Sequence, residues 1–180
     1  MLRVTIPCTE LFNEQTREFS VVKEQTIQLE HSLVSLSKWE SKWHKPFLTK
    51  DNKTIEETVD YIRCMTTSQN VDPNVYLCIT DEILDQVSAY IEDSMTATWF
   101  SEGKNKSINK EIITAEIIYY WMISLNIPFE CQKWHLNKLL TLIRVCNIKN
   151  SPPKKMSKAD LLSKNRALNK ARRQAHNSRG

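Results

Sequence analysis

The sequence predicts an α+β protein that is predominantly helical. Short stretches near the N-terminus alternate apolar and polar residues, which is typical of strands. From about residue 32 the apolar residues recur at helical spacing. Only two glycines occur, Gly103 and Gly180, too few for folds rich in tight turns or for a Gly-rich phosphate loop. We therefore expect a short antiparallel β segment, a bundle of about five helices and a basic C-terminal helix.

The first 30 residues predict a small antiparallel hairpin or a three-stranded sheet. Leu2–Ile6 alternates and is stopped by Pro7, while residues 19–22 and 26–29 are short runs with strand-forming side chains. The polar residues between these runs predict the turns.

Capping signals predict the first two helices. Ser32 is a suitable N-cap for a helix that runs to about Trp43 and stops before Pro46. Thr54 and Glu57 form a capping box for a second helix. The apolar positions of that helix recur at helical spacing: Ile55, Val59, Ile62 and Met65.

Three more helices complete the predicted body. One is capped by Thr80, and a second covers residues 111–125, which are apolar nearly all round and so predict a helix at the centre of the bundle. The third runs from about residue 131 to 148. Its core-facing residues are expected to be Leu136, Leu139, Leu140, Ile143 and Cys146.

Pro152 and Pro153 predict the boundary between two parts of the chain, because neither can continue a helix. Residues 1–150 should form the globular body, and residues 151–180 a basic arm that is helical from about residue 157. The arm has a net charge of +8, with Asp160 its only acid; since the whole chain carries +4, the body carries −4. Its nine cations are Lys154, Lys155, Lys158, Lys164, Arg166, Lys170, Arg172, Arg173 and Arg179.

The arm is expected to be where the protein meets another molecule. It could bind nucleic acid through its cations, dock as a helix on an acidic protein, or remain a solvated tail. No aromatic residue is interleaved with the cations, which weakens a single-strand stacking role. A leucine seam favours a protein partner, and it consists of Leu161, Lys164, Leu168, Ala171 and Ala175.

Nothing in the sequence predicts catalysis. The four histidines are scattered and lack metal-ligand spacing, and the five cysteines are odd in number and widely spaced, as expected for reduced thiols. Acidic pairs lie at helix starts, where the macrodipole accounts for them. We expect no enzyme, metal or cofactor. Trp99 and Phe100, beside a polar loop, are instead candidates for an exposed protein interface, together with Leu161 and Leu168 of the arm.

Segments between about residue 29 and the C-terminus resemble small proteins encoded among the structural genes of tailed bacteriophages. Within that setting the chain is most similar in kind to a tail assembly chaperone. The segments that carry the resemblance are LEHSL at residues 29–33, KWESKW at 38–43, DYIRCM at 60–65, WHLN at 134–137, TLIRVCNIKN at 141–150 and PPKKMS at 152–157.

The resemblance implies a non-enzymatic protein that binds tape measure and tail tube proteins during assembly in the host cytoplasm. The chain departs from that pattern in its capped helical arm, where a looser extension is common. A virion subunit at the neck or head–tail junction therefore stays open, as does a nucleic-acid-binding protein that acts through the arm. A homo-oligomer also stays open. No membrane association is expected, because the most apolar stretch is interrupted by polar residues.

Overall fold

The computed structural model describes residues 1–13, 17–49, 52–100, 112–152 and 158–176. It confirms the predicted fold class, since short antiparallel strands at the N-terminus are followed by helices. The chain divides into two compact units, residues 1–147 and residues 148–180.

One long β-hairpin opens the first unit. Its strands are β1 (Leu2–Ile6), β2 (Thr9–Asn13), β3 (Glu18–Val22) and β4 (Gln25–Leu29), with β1 paired to β4 and β2 to β3. Ile6 lies opposite Gln25, and three residues further along each strand Thr9 lies opposite Val22. The two ladders therefore share one register, interrupted where Pro7 lacks the N–H that a ladder needs. The sequence did not predict β2.

The two halves of the hairpin have different surroundings. In the β1–β4 half, Val4, Ile27 and Leu29 are buried, as the alternating pattern predicts. In the β2–β3 half the rings of Phe12 and Phe19 are exposed and contact each other across the strands, with centroids 4.9 Å apart and planes tilted by 47°.

Helices α1 (Leu33–Trp43) and α2 (Ile55–Met65) begin at the predicted caps. The Ser32 hydroxyl accepts a hydrogen bond from the Ser35 backbone N–H, and the Thr54 hydroxyl accepts one from that of Glu57. The side chains of Ser35 and Glu57 reach back to the cap N–H groups, which completes two capping boxes.

A 3-10 helix at Pro73–Cys78, which the sequence did not predict, leads into α3 (Asp81–Glu92). Thr80 is the N-cap of α3, as predicted, although its side chain makes no capping hydrogen bond.

The prediction for residues 111–125 was wrong in extent and in burial. Helix α4 covers only Ala115–Ser124, and Ile112 to Thr114 precede it as irregular backbone. Ala115, Ile118 and Met122 are buried, but Tyr120 and Ile123 on another side are mostly exposed. This helix therefore lies at the edge of its core, not at the centre of a bundle.

The helix predicted from residue 131 to 148 is broken in two. A 3-10 helix at Phe129–Lys133 ends before α5 (Leu136–Asn150) begins. The break coincides with a bridge between Ser32 and His135. In α5 the side chains of Leu136, Leu139 and Ile143 are buried, as predicted.

Helix α1 contributes to two apolar cores in the first unit. Trp39 packs with the hairpin, α2, the first 3-10 helix and α3, whereas Leu33 and Leu36 pack with α4 and α5. Leu33, Leu36 and Trp39 are all essentially inaccessible to solvent. Burial of side chains of this size stabilises the fold by about 1.5–3 kcal/mol each. Because these residues lie in different cores, α1 joins the two cores of the first unit.

The second unit contains α6 (Lys158–Ala175), whose start agrees with the predicted position. Residue 157, from about which the sequence predicts the helix, lies outside the described residues. The division between the units falls between Asn147 and Ile148, three residues before the boundary that the sequence predicts.

Candidate functional site

Helix α6 is formed by residues that favour helices. Its 18 residues contain no glycine or proline and are rich in alanine, leucine, lysine and arginine. Every described side chain from Lys158 to His176 is exposed. The helix carries six cations, which are Lys158, Lys164, Arg166, Lys170, Arg172 and Arg173.

The two sides of α6 differ in chemistry. Arg166, Lys170 and Arg173 follow each other at four and three residues and so form one stripe along the helix. Leu161 and Leu168 lie seven residues apart on nearly the opposite side, at about 100° of rotation per residue. About half of each leucine side chain is accessible. The helix thus has a cationic stripe, which also includes Leu162 four residues before Arg166, and a second side where Leu161 and Leu168 lie among Lys164 and Arg172.

The structure therefore brings six of the nine predicted arm cations onto one helix with Leu161 and Leu168. The other three, Lys154, Lys155 and Arg179, lie outside the described residues.

Trp99 and Phe100 have different surroundings. The Trp99 side chain is 93% exposed, more than any other large apolar side chain described. Phe100 is half-buried, and the guanidinium carbon of Arg144 lies 4.1 Å from its ring centroid. The predicted aromatic pair is thus a single exposed indole beside a ring that a cation covers.

The body also has a groove that the sequence did not predict. It lies between α1, α2 and the first 3-10 helix, has a volume of about 500 Å³, and is lined in part by Trp43, Val59 and Tyr76. Ile55 and Leu77 at the groove are exposed by 78% and 69%. Ile55 fits the apolar spacing of α2 but is exposed, because the first turn of the helix projects beyond the core.

Buried acids fix the wall of this groove. Asp60 accepts hydrogen bonds from the Lys42 ammonium and from Nε1 of Trp43. Burial raises the pKa of Asp60, but these hydrogen bonds and the Lys42 charge outweigh it and hold the pKa below its usual value. The Lys45 ammonium and the Thr54 backbone N–H likewise lower the pKa of Glu57. Asp60 thereby joins α1 to α2 and positions the indole of Trp43.

Burial also governs the cysteines and histidines. It raises the pKa of the thiols of Cys64 and Cys131, which leaves neither activated as a nucleophile at neutral pH. Burial lowers the pKa of His31 to about 3 and lowers that of His135. All five cysteines are free.

In the part of the chain that the structure describes, no group of three or more His, Cys, Asp or Glu side chains could hold a metal ion. None of the described helices combines the length and the apolar character that crossing a membrane requires.

Comparisons with protein families, with curated proteins and with solved structures gave no match for this chain.

Proposed function

We propose that this chain is a non-enzymatic assembly protein that holds helical segments of another protein, acting as a tail assembly chaperone of a tailed bacteriophage. The observation that carries the proposal is α6, a helix whose cationic stripe and leucines are all exposed. An isolated helix of this length is marginal in water. A partner that covers both sides would stabilise it.

The chemistry of α6 favours a protein as the partner. Leu161 and Leu168 provide apolar area that gains free energy when covered by another apolar surface, at about 25 cal/mol per Å². Phosphate groups of a nucleic acid would use the cationic stripe and leave the leucines in water. An amphipathic partner with an acidic flank uses both sides of the helix.

The groove in the body supplies a second contact for the same partner. Its exposed Ile55 and Leu77 are suited to two apolar side chains on one side of a helix, in the manner of helix-in-groove recognition. Lys42, Arg63, Glu56 and Asp60 also line the groove. They can pair with charges that flank an apolar stripe.

Co-expression with the tape measure and tail tube proteins of the phage that encodes this chain tests the proposal. We expect one of these proteins to co-purify with the full chain. Leu161→Glu with Leu168→Glu should lower the amount recovered at least about tenfold, because a charge cannot enter an apolar contact without a large desolvation cost. Ile55→Glu with Leu77→Glu should have the same effect.

Ile123→Glu is the matched control, since Ile123 is an equally exposed apolar residue away from α6 and the groove. It should leave the recovery unchanged. Recovery of neither tail protein with the wild-type chain would contradict the proposal. So would DNA binding that weakens steeply with salt and disappears when Arg166, Lys170 and Arg173 are changed to Glu, since this pattern indicates a nucleic-acid-binding protein.

A further inference from the structure

Helix α3 presents a row of acids to solvent. It contains four acidic residues and no lysine or arginine. Asp81, Asp85 and Glu92 are separated by four and seven residues, so they lie along one side of the helix, with Ser88 between them. All four side chains are exposed. We call Asp81, Asp85 and Glu92 the acidic row.

The acidic row and the cationic stripe of α6 have one seven-residue spacing in common. The seven residues between Asp85 and Glu92 also separate Arg166 from Arg173, and both steps span about 10.5 Å along a helix axis. The four residues between Asp81 and Asp85 match those between Arg166 and Lys170 only in a different register, so two carboxylates face two cations at a time. Two helices with these rows can lie side by side with carboxylates opposite cations over two turns.

Among the described residues, no ion pair involves the acidic row or the cationic stripe. The ion pairs among the described residues join Met1 to Glu30, Lys42 to Asp60 and Lys45 to Glu57, so none involves α3 or α6. Both rows therefore remain available to another molecule.

We infer that, when no other partner is present, the cationic stripe of α6 binds the acidic row on a second copy of this chain. Each copy carries both rows. In a two-fold dimer the α6 stripe of each copy therefore contacts the acidic row of the other copy, so the same contact is made twice. The charges are complementary at both contacts. The dimer forms reversibly, because exposed ion pairs are weak singly and are screened by salt.

Sedimentation analysis of the purified full-length chain tests this pairing without any phage partner. At about 50 mM salt we expect a monomer–dimer equilibrium that shifts towards monomer by about tenfold or more in dissociation constant at about 500 mM salt. A monomer at both salt concentrations, with protein at about 100 µM, overturns the inference.

Charge reversal identifies the two rows. A first variant carries Asp81→Lys, Asp85→Lys and Glu92→Lys, and a second carries Arg166→Glu, Lys170→Glu and Arg173→Glu. Each variant alone should be monomeric, because both of its rows have the same sign. An equimolar mixture should form mixed dimers, since each row then meets a row of the opposite sign.

Matched controls carry the same change in charge elsewhere. Glu10→Lys, Glu18→Lys and Glu24→Lys alter exposed acids of the hairpin, and Lys23→Glu, Lys133→Glu and Lys149→Glu alter exposed cations. Both control variants should keep the dimer. Failure of the two test variants to associate when mixed overturns the inference, and so does a wild-type chain that stays monomeric because its α6 pairs with its own α3. The inference does not depend on the proposed function, because the assay contains this chain alone.

Discussion

His31 and His135 lie edge to face with their ring centroids 5.1 Å apart, in the region where the two apolar cores of the body meet. Nε2 of His135 donates a hydrogen bond of 3.0 Å to the Tyr90 backbone carbonyl, and Nδ1 of His31 shares one of 2.6 Å with the Tyr61 hydroxyl. Among the described atoms, Nδ1 of His135 has no hydrogen-bond partner. Both rings are therefore held neutral, because a proton added here would be buried beside the other ring.

The first prediction is that the protein loses stability between pH 7 and pH 5. Burial lowers the pKa of His31 to about 3 in the folded state, with a smaller contribution from His135, whereas unfolded histidine has its ordinary value near 6.5. Below pH 6.5 the unfolded chain therefore binds a proton that the folded chain does not, and stability falls as the pH falls. His31 alone should cost about 2 kcal/mol between pH 7 and pH 5.

Urea denaturation at the two pH values measures this loss. Glu57 and Asp60, whose pKa values are lowered, stay ionised in both states throughout this range, so they add to the loss only at lower pH. His31→Gln should reduce the difference between pH 7 and pH 5, although it destabilises the protein at both. An unchanged difference in that variant would show that His31 is not the cause.

The second prediction concerns Glu40, a buried acid that connects distant parts of the chain. Its Oε1 accepts the Phe47 backbone N–H at 2.8 Å, and its Oε2 accepts the Ala115 backbone N–H at 2.7 Å. Glu40→Ala leaves two N–H groups without their acceptor and should cost about 3 kcal/mol in the free energy of unfolding.

Glu40→Gln keeps one acceptor oxygen but turns an amide N–H₂ towards the other donor. It should therefore lower the free energy of unfolding, but by less than Glu40→Ala does. Glu24→Ala, at an exposed acid of the hairpin, should change stability by less than about 0.5 kcal/mol. Chemical denaturation of the three variants gives the order. Equal stabilities for Glu40→Ala and Glu24→Ala would contradict the prediction.

The helix starts could be predicted from the sequence because their causes are local. Ser32 and Thr54 cap their helices through side chains three residues away, so the signal lies within one turn of chain. The strand β1 was predictable for a similar reason, since its alternation reflects a single buried face. The basic arm was also predictable, because composition alone determines its charge.

Tertiary contacts decided the features that the sequence did not predict. Residues 112 and 113 are apolar, yet α4 begins only at Ala115, whose N–H is held by Glu40 from 75 residues away. Ile55 fits the apolar period of α2 but projects beyond the core into the groove. Periodicity shows on which side of a helix a residue lies, but not where the helix or its buried surface ends. The start of α4 and the exposure of Ile55 therefore have no signal in the sequence.

The third prediction separates binding leucines from structural ones. Leu161 and Leu168 of α6 are about half exposed, whereas Leu139 of α5 is fully buried. Leu161→Ser and Leu168→Ser should each change the free energy of unfolding by less than about 0.5 kcal/mol. Leu139→Ala should lower it by about 2–5 kcal/mol, because it leaves a cavity in the core.

Thermal denaturation monitored by circular dichroism compares these variants under one set of conditions. A loss for Leu168→Ser as large as that for Leu139→Ala would mean that α6 is part of the folded core, and the binding role of its apolar side would be wrong.

The last prediction uses Trp99, whose indole is 93% exposed while that of Trp39 is 1% exposed. A small neutral quencher such as acrylamide reaches an exposed indole at almost every collision and a buried one only after local opening of the structure. Trp99→Phe should therefore remove the largest part of the quenchable fluorescence. Trp39→Phe should lower the total emission and leave the quenchable part in place.

If Trp99 lies in a protein interface, as its exposed aromatic surface favours, a bound partner should protect it from acrylamide in the wild-type chain. Equal quenching with and without the partner would exclude Trp99 from the contact.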